Sequence, residues 1–273
     1  MRHRRTVAGL IGLHASRIAV ALGLTSMLLG PSVASPQANR SPEAWQSEWT
    51  QVLQRHVDAK GRVDFAGLAS DRTGLDDVMK FVATADPVSQ QALFPTPSAR
   101  MAYYIDAYNA LAMYGVLDAG VPERFGWLGR FRFFYLRKFI LGGRSISLYS
   151  LENDVIRPMG DPRVHFALNC MSVSCPRLPR TAFTTDGLDR ELDTAAREFM
   201  NEDRNVHVDL ETHVVRLSAI FDFYTKDFLA KAPSLIAYVN RYRTVPVPVD
   251  FKVSFADYDW TINAQSRREE GAR

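Results

Sequence analysis

Helical patterns precede every convincing strand pattern in this chain, and this order constrains the fold more than any other feature. Apolar residues recur at spacings of three and four in three early segments, and from about residue 131 they alternate instead. Helices first and hairpins later favour an α+β protein over a doubly wound sheet. The sequence therefore predicts N-terminal helices packed on a mostly antiparallel sheet with hairpins, in a single domain.

The three early helices have clear boundary signals. Ser41 is the predicted N-cap of the first, with Pro42 in its first turn, and the longest helix begins at Pro97 and ends before Gly120 and Pro122. The predicted buried faces are Trp45, Trp49, Val52 and His56 in the first helix, Leu75, Val78, Met79 and Val82 in the second, and Met101, Tyr104, Ile105, Tyr108, Leu111 and Val116 in the third.

The later elements are shorter. Gly142 and Gly143 predict a tight hairpin turn, because glycine tolerates positive φ angles. Strands are expected at 131–141, 144–148, 163–169 and 258–263, and a second hairpin at 205–217. Further helices are expected at 149–157, 188–199, 220–228 and 235–242.

The first 34 residues have the composition of a secretory signal peptide. Four arginines precede an uncharged stretch at 18–30, and Ser32 and Ala34 supply small residues at a cleavage site. That stretch spans roughly 20 Å as a helix, short of the roughly 30 Å of bilayer hydrocarbon. We therefore expect an exported protein, periplasmic or extracellular, with one globular domain at 35–264, a disordered tail at 265–273 and no transmembrane segment. An uncleaved anchor is the alternative.

Removing this segment changes the charge balance. The chain has 33 basic and 30 acidic residues and a formal charge of +3, but four of the arginines lie in the first 34 residues. The remainder has 29 basic against 30 acidic residues. Composition thus gives no reason to expect an anionic partner, and nucleic acid is not expected after export.

The two cysteines lie in the densest group of chemically active residues, 161–176. Cys170 is a candidate nucleophile, Arg163 and Arg177 would lower its pKa, and Asn169 could orient an imidazole or donate to an oxyanion. In a strand over 163–169, His165 and Cys170 point to opposite faces, so they could pair only if the chain turns at Asn169.

Other interpretations of the same residues stay open. An exported protein meets an oxidising compartment, so Cys170 and Cys175 could form a structural disulfide, or both could be inert buried thiols. A metal site of His165 and both thiols lacks the usual Cys-x-x-Cys spacing, so neither a metal nor a cofactor is expected. Nucleotide, serine-elbow and zinc-helix motifs are absent from the sequence.

Three polar residues outside this group are further candidates. Asp106 and Asn109 share one face of the longest helix, which is either solvated or lines a cleft. Glu152 could orient His165, pair with Arg163 or Arg157, or complement a helix dipole. The basic and aromatic stretch at 130–138 is predicted to be the edge of a hairpin protected by charge, with an anionic glycan or membrane surface as the alternative partner.

Several of these segments together resemble domain-of-unknown-function family 547, whose members occur as exported bacterial proteins and in plants. The resemblance extends over about 45–263, and Tyr104 and Asp106 depart from the family's usual Trp and Asn. It implies that Asp106, Asn109, Glu152, His165, Asn169 and Cys170 converge. The segments that carry it are 102–109, 148–157, His165-Phe-Ala-Leu-Asn-Cys170, Ser174-Cys175-Pro176, Ile220-Phe-Asp-Phe-Tyr224 and Tyr258-Asp-Trp-Thr-Ile-Asn263.

The leading hypothesis is a cysteine-dependent hydrolase or transferase that acts on an amide or ester in the cell envelope. Cys170 would attack, and His165 or a more distant histidine would take its proton. Asn169 with neighbouring backbone amides would stabilise the oxyanion, and Glu152 or Asp106 would orient the base. Asp106, Asn109, Arg163 and Cys175 are candidate binding residues. The alternative is a non-catalytic envelope module that binds a small molecule or envelope component, with a Cys170–Cys175 disulfide.

Overall fold

The computed structural model describes residues 41–265, so the predicted signal peptide lies outside the described residues. The predicted tail lies outside them too, except Gln265, whose backbone amide donates to Val63 O. The longer helices are α1 (Pro42–His56), α2 (Phe65–Ser70), α3 (Thr73–Thr84), α4 (Pro97–Asp118) and α7 (Leu188–Asn201). The short ones are α5 (Trp127–Phe131), α6 (Leu148–Ser150), α8 (Ala219–Phe223), α9 (Thr225–Leu229) and α10 (Leu235–Val239).

Helix α4 is the centre of the first core. Its start is set by Thr96, whose hydroxyl accepts from Ala99 N at 3.0 Å, and Gly120, at φ +75°, follows its end. Seventeen of its 22 residues are buried, and α1, α2 and α3 pack around it. The three early helices are therefore confirmed, and so are their buried faces except at Met79, which is only partly buried. The six-residue helix α2 is an addition that the pattern did not predict.

The first hairpin is confirmed, but its first strand is much shorter than predicted. Strand β1 (Phe139–Leu141) pairs antiparallel with β2 (Arg144–Ile146), and Gly142 and Gly143 have φ of +54° and +79°. Both turn amides donate to the end of α3, to Val82 O and Ala83 O. Residues 127–136 are helical instead, as α5 followed by a π-helical turn over Arg132–Leu136. Phe133 is held there against Gly115 of α4.

A separate three-stranded sheet contains the second hairpin. Strands β3 (Val206–Asp209) and β4 (Val214–Leu217) are antiparallel, as predicted, and β5 (Lys252–Phe255) pairs parallel with β4. The prediction of a last strand at 258–263 is wrong, because this segment makes only isolated bridges. The fold is α+β with two small sheets in place of one.

The second core surrounds Phe166. It is formed by α7, β3, β4 and α8 to α10, and Phe166 packs against Phe199, Phe221 and Phe228. The helix predicted at 220–228 is broken at Tyr224 into α8 and α9. Within residues 41–265, no helix is both long enough and apolar enough to span a bilayer.

Candidate functional site

Both cysteines line a cavity of about 540 Å³, together with Glu152 and His165. Eight aromatic residues contribute to its wall, which gives it an apolar surface with a few polar groups. The polar and charged residues that line it are Arg130, Glu152, Asn153, Arg157, His165, Cys170 and Cys175.

The two thiols lie at the start and end of a short turn. Their sulfur atoms are 2.8 Å apart, and both cysteines are free. Cys175 Sγ also accepts from the Cys170 amide at 3.1 Å and lies 3.2 Å from Ser172 Oγ and 3.3 Å from the Tyr258 hydroxyl. Cys170 Sγ lies 3.2 Å from the same Ser172 hydroxyl and 3.5 Å from that of Tyr258, so the contact that Cys175 alone has is the hydrogen bond from the Cys170 amide.

This hydrogen bonding makes the two thiols unequal. Burial disfavours a thiolate at Cys175, but hydrogen bonds from Cys170, Ser172 and Tyr258 outweigh it and lower the pKa of Cys175 below its ordinary value. The hydrogen bond that Cys170 donates to Cys175, together with burial, raises the pKa of Cys170. The two thiols titrate as a pair, and the hydrogen bond from the Cys170 amide favours the thiolate at Cys175.

The turn is held from one side by two buried asparagines. Asn109, on α4, donates to Ala167 O at 3.0 Å and accepts from Asn169 N at 2.7 Å. The Asn169 amide donates to Pro176 O and accepts from Met171 N, both at 2.7 Å. Met171 has a left-handed backbone, φ +67°, which is unfavourable for a side chain larger than glycine. The asparagine contacts stabilise this conformation.

The C-terminal segment holds the turn from the other side. Val173 N donates to Thr261 O at 2.8 Å, and Asn263 N donates to Met171 O at 2.9 Å. This pairing brings Tyr258 to the thiols. The predicted strand at 258–263 is thus an extended segment whose partner is the cysteine turn.

His165 does not contact either thiol through a hydrogen bond. Its Nε2–H donates to Asp227 Oδ2 at 2.8 Å, and its ring stacks on Tyr224 at 3.8 Å between centroids. Arg157 donates to both oxygens of Asp227, at 2.8 and 3.0 Å. The hydrogen bond from His165, with that from Arg157, lowers the pKa of Asp227. The carboxylate that orients His165 is therefore Asp227, and neither Glu152 nor Asp106.

The strand predicted over 163–169 is wrong. Pro162–Phe166 is a 3₁₀ helix, because Pro162 has a fixed φ and the Asp161 carboxylate caps the turn by accepting from Arg163 N at 2.9 Å. The alternation that placed His165 and Cys170 on opposite faces does not apply, and both residues line the same cavity.

Glu152 is buried and accepts hydrogen bonds from two tyrosines. Tyr108 OH donates to Oε2 at 3.1 Å, and Tyr224 OH donates to Oε1. Glu152 lies on the π-helical turn Leu151–Ile156, which widens the backbone beside the cavity. The predicted pairing of Glu152 with Arg163 does not occur.

Arg163 lies elsewhere, at a second cavity of about 420 Å³. Its guanidinium pairs with Asp161, Asp189 and Asp193 at 2.7 to 2.8 Å. Arg177 pairs with Glu202. The electropositive surroundings predicted for Cys170 from these two arginines are therefore neutralised.

Asp106 is buried away from the cavity. Its Oδ1 accepts from Trp49 Nε1 at 3.2 Å, while Oδ2 has no hydrogen-bond partner. Burial raises the pKa of Asp106 well above its ordinary value. The face shared by Asp106 and Asn109 is thus neither solvated nor part of the cavity wall.

Several residues of the site have no role in the sequence-based hypothesis. Tyr224 and Tyr258 lie in segments that carry the family resemblance, and Asp227 follows Tyr224 by one helical turn, so a signal existed for these three. Tyr108 also lies in such a segment, 102–109, whereas Ser172 gave no comparable signal. Among residues 41–265, no group of three or more His, Cys, Asp or Glu side chains is arranged to hold a metal ion.

These observations define an α+β protein with a hydrogen-bonded pair of thiols in an aromatic cavity. Residues 95–200 match the family model DUF547, described as a protein of unknown function. The resemblance is confirmed over that segment, which includes Asn109, Glu152, His165 and both cysteines. Neither a curated protein nor a solved structure matches the chain.

Proposed function

We propose that this chain is a thiol-dependent enzyme of the acyl-transfer class, a hydrolase or transferase that acts on an amide or ester. The observation that carries the proposal is the hydrogen-bonded pair of thiols, with Cys175 Sγ accepting from the Cys170 amide, in a cavity of about 540 Å³. A thiolate is the reactive form of cysteine, and a low pKa makes it available at neutral pH. The exported location predicted from residues 1–34 is part of the proposal, and so is an envelope substrate.

The proposed step uses Cys175 where the sequence-based hypothesis used Cys170. Cys175 Sγ forms a bond to the acyl carbon, and the carbonyl electron pair moves to oxygen. The Tyr258 and Ser172 hydroxyls are the nearest side-chain donors for that oxyanion, because both amide groups of Asn109 and Asn169 are engaged with the backbone. The amine or alcohol then leaves with a proton, for which the Cys170 thiol is the adjacent donor.

In this proposal His165 is not the base that deprotonates the thiol. Its Nε2 is engaged with Asp227, and no hydrogen bond links its ring to a sulfur atom. Both groups line one cavity, so His165 can serve the water that later attacks the thioester.

A second candidate function is favoured by the separation of the sulfur atoms. At 2.8 Å the two thiols are close enough that oxidation would join them with little backbone movement. The alternative is therefore a non-catalytic envelope module in which a Cys170–Cys175 disulfide stabilises a ligand-binding cavity.

The first experiment is alkylation of the exported protein without reductant, followed by peptide mass spectrometry. Because the chain has two cysteines, each labelled peptide identifies its residue. We expect Cys175 to react with iodoacetamide with a pH midpoint below that of a model thiol, and Cys170 with a midpoint above it. The midpoint, unlike the absolute rate, does not depend on how accessible the thiol is. An intact disulfide in the exported protein would favour the structural alternative.

The second experiment tests acyl transfer directly with p-nitrophenyl acetate. We expect release of p-nitrophenolate and an acetyl thioester on Cys175, detected by mass spectrometry. Cys175→Ser should abolish the thioester, whereas Cys170→Ser should still form it, because p-nitrophenolate leaves without needing a proton from Cys170. Acetylation of neither cysteine would contradict the proposed function.

A further inference from the structure

An exposed apolar face borders the thiol cavity. It consists of Trp127, Leu128, Phe131, Tyr135, Leu136 and Tyr149, which we call the aromatic face. Trp127 is 70% exposed and Leu136 57%. Phe131 stacks on Tyr135 at 5.5 Å between centroids, and Tyr135 stacks on Tyr149 at 4.3 Å. A contiguous face of large apolar side chains at the surface of a protein usually marks an interaction site.

The same part of the chain has an excess of positive charge. Between residues 124 and 151 the sequence has six basic residues and no acidic one, although the chain after residue 34 is close to neutral. Arg137 and Arg144 are paired with Asp118 and Asp86. Arg130, Arg132 and Lys138 have no carboxylate partner among the described residues, and Arg130 lies over the ring of Trp260 at 4.7 Å.

We propose that the aromatic face docks on an anionic lipid membrane. Trp and Tyr rings suit the boundary between headgroups and acyl chains, and exposed leucines supply apolar area that enters it. Unpaired arginine and lysine side chains beside such a face attract anionic headgroups. This inference does not depend on the chemistry of the thiols, and it is independent of the proposed function.

The composition of the face favours a membrane over the other occupants. Leu128 and Leu136 offer no hydrogen bond to a glycan, and a second copy of the chain would bring two faces of like charge together. Arg130 and Tyr135 also line the thiol cavity, so docking would place the mouth of that cavity close to the lipid headgroups.

The test is sedimentation of the exported protein with vesicles. We expect binding to vesicles of phosphatidylglycerol and phosphatidylethanolamine, and much weaker binding to phosphatidylcholine alone. Trp45 and Trp49 are fully buried, so a blue shift of tryptophan fluorescence would report on Trp127 and Trp260. Trp127→Phe separates these two contributions.

Surface variants determine whether this face is responsible. Arg132→Gln with Lys138→Gln should weaken binding by about thirty-fold, since each charge contributes about 1 kcal/mol near an anionic surface. Trp127→Ser with Leu128→Ser should strongly reduce the fraction of protein that sediments with the anionic vesicles. Leu210→Ser, at a 69% exposed leucine in the turn between β3 and β4, is the matched control and should bind normally. Unchanged circular dichroism spectra confirm that the variants are folded.

Several outcomes would overturn the proposal. These are no binding to either vesicle, or binding that the face variants leave unchanged. Binding to heparin but not to vesicles would assign the face to an anionic glycan. A dimer in sedimentation velocity that Trp127→Ser dissociates, without vesicle binding, would assign it to a second copy of the chain.

Discussion

Replacing Asp106 with asparagine should change how the stability of this protein depends on pH. Asp106 is 1% exposed, and Oδ2 has no hydrogen-bond partner. Burial raises its pKa well above the ordinary value of 3.8. The native state therefore holds this proton more tightly than the unfolded chain does. The resulting cost to native stability is absent below the unfolded pKa and grows as the pH rises above it, until the native pKa is reached.

The size of the effect follows from this linkage. For each pH unit between the two pKa values, the unfolding equilibrium constant of the unchanged protein rises about ten-fold relative to that of a variant that does not titrate at position 106. Between pH 5 and pH 7 the difference between Asp106→Asn and the unchanged protein should therefore shift by up to about 3 kcal/mol in favour of the variant. Asparagine can still accept from Trp49, so the packing of α1 on α4 is retained.

The assay is urea unfolding of both proteins at several pH values in that range, followed by circular dichroism. The quantity that matters is how the difference between the two free energies of unfolding changes with pH. A constant difference also includes the altered hydrogen bonds of the residue 106 side chain with Trp49 and with the backbone of Phe183. Asp77→Asn, at a partly exposed carboxylate on α3 that pairs with Lys80, is the control for removing a carboxylate elsewhere in the chain. A difference that stays constant with pH would refute the argument that Asp106 has a raised pKa.

Two further predictions concern backbone geometry. Asn109→Ala should destabilise the cysteine turn, because it leaves Ala167 O and Asn169 N buried and unpaired, at a cost of roughly 1 to 3 kcal/mol each. Urea unfolding measures the loss in the free energy of unfolding, and a loss near zero would contradict the prediction. Gly143→Ala should lower the free energy of unfolding by about 1 to 2 kcal/mol, because its backbone is left-handed. Gly142→Ala should lower it further, because the new Cβ would also meet Asp86 Oδ1, whereas the one at position 143 would meet no atom. Equal melting temperatures for the two glycine variants would be inconsistent with that contact.

Local sequence determined the elements that depend on local chemistry. The start of α1, the extent of α4, the turn at Gly142 and Gly143 and the hairpin of β3 and β4 all depend on caps, helical spacing or glycine, which act within a few residues. The sequence also placed both cysteines in the segment that became the candidate site.

Tertiary structure decided what local patterns leave ambiguous. Residues 131–136, the first part of the strand predicted at 131–141, are helical instead. The reason is that aromatic residues within them have partners far along the chain, Phe133 against Gly115 and Phe134 against Trp260. Asp227 pairs with His165, which lies 62 positions away in the chain. Tyr258 contacts the two thiols, which lie 83 and 88 positions away. No spacing rule reaches across such distances. The sequence by itself therefore determined which residues are chemically capable, and only the folded chain decided which of them meet, since burial and hydrogen bonding between distant segments set both their partners and their pKa values.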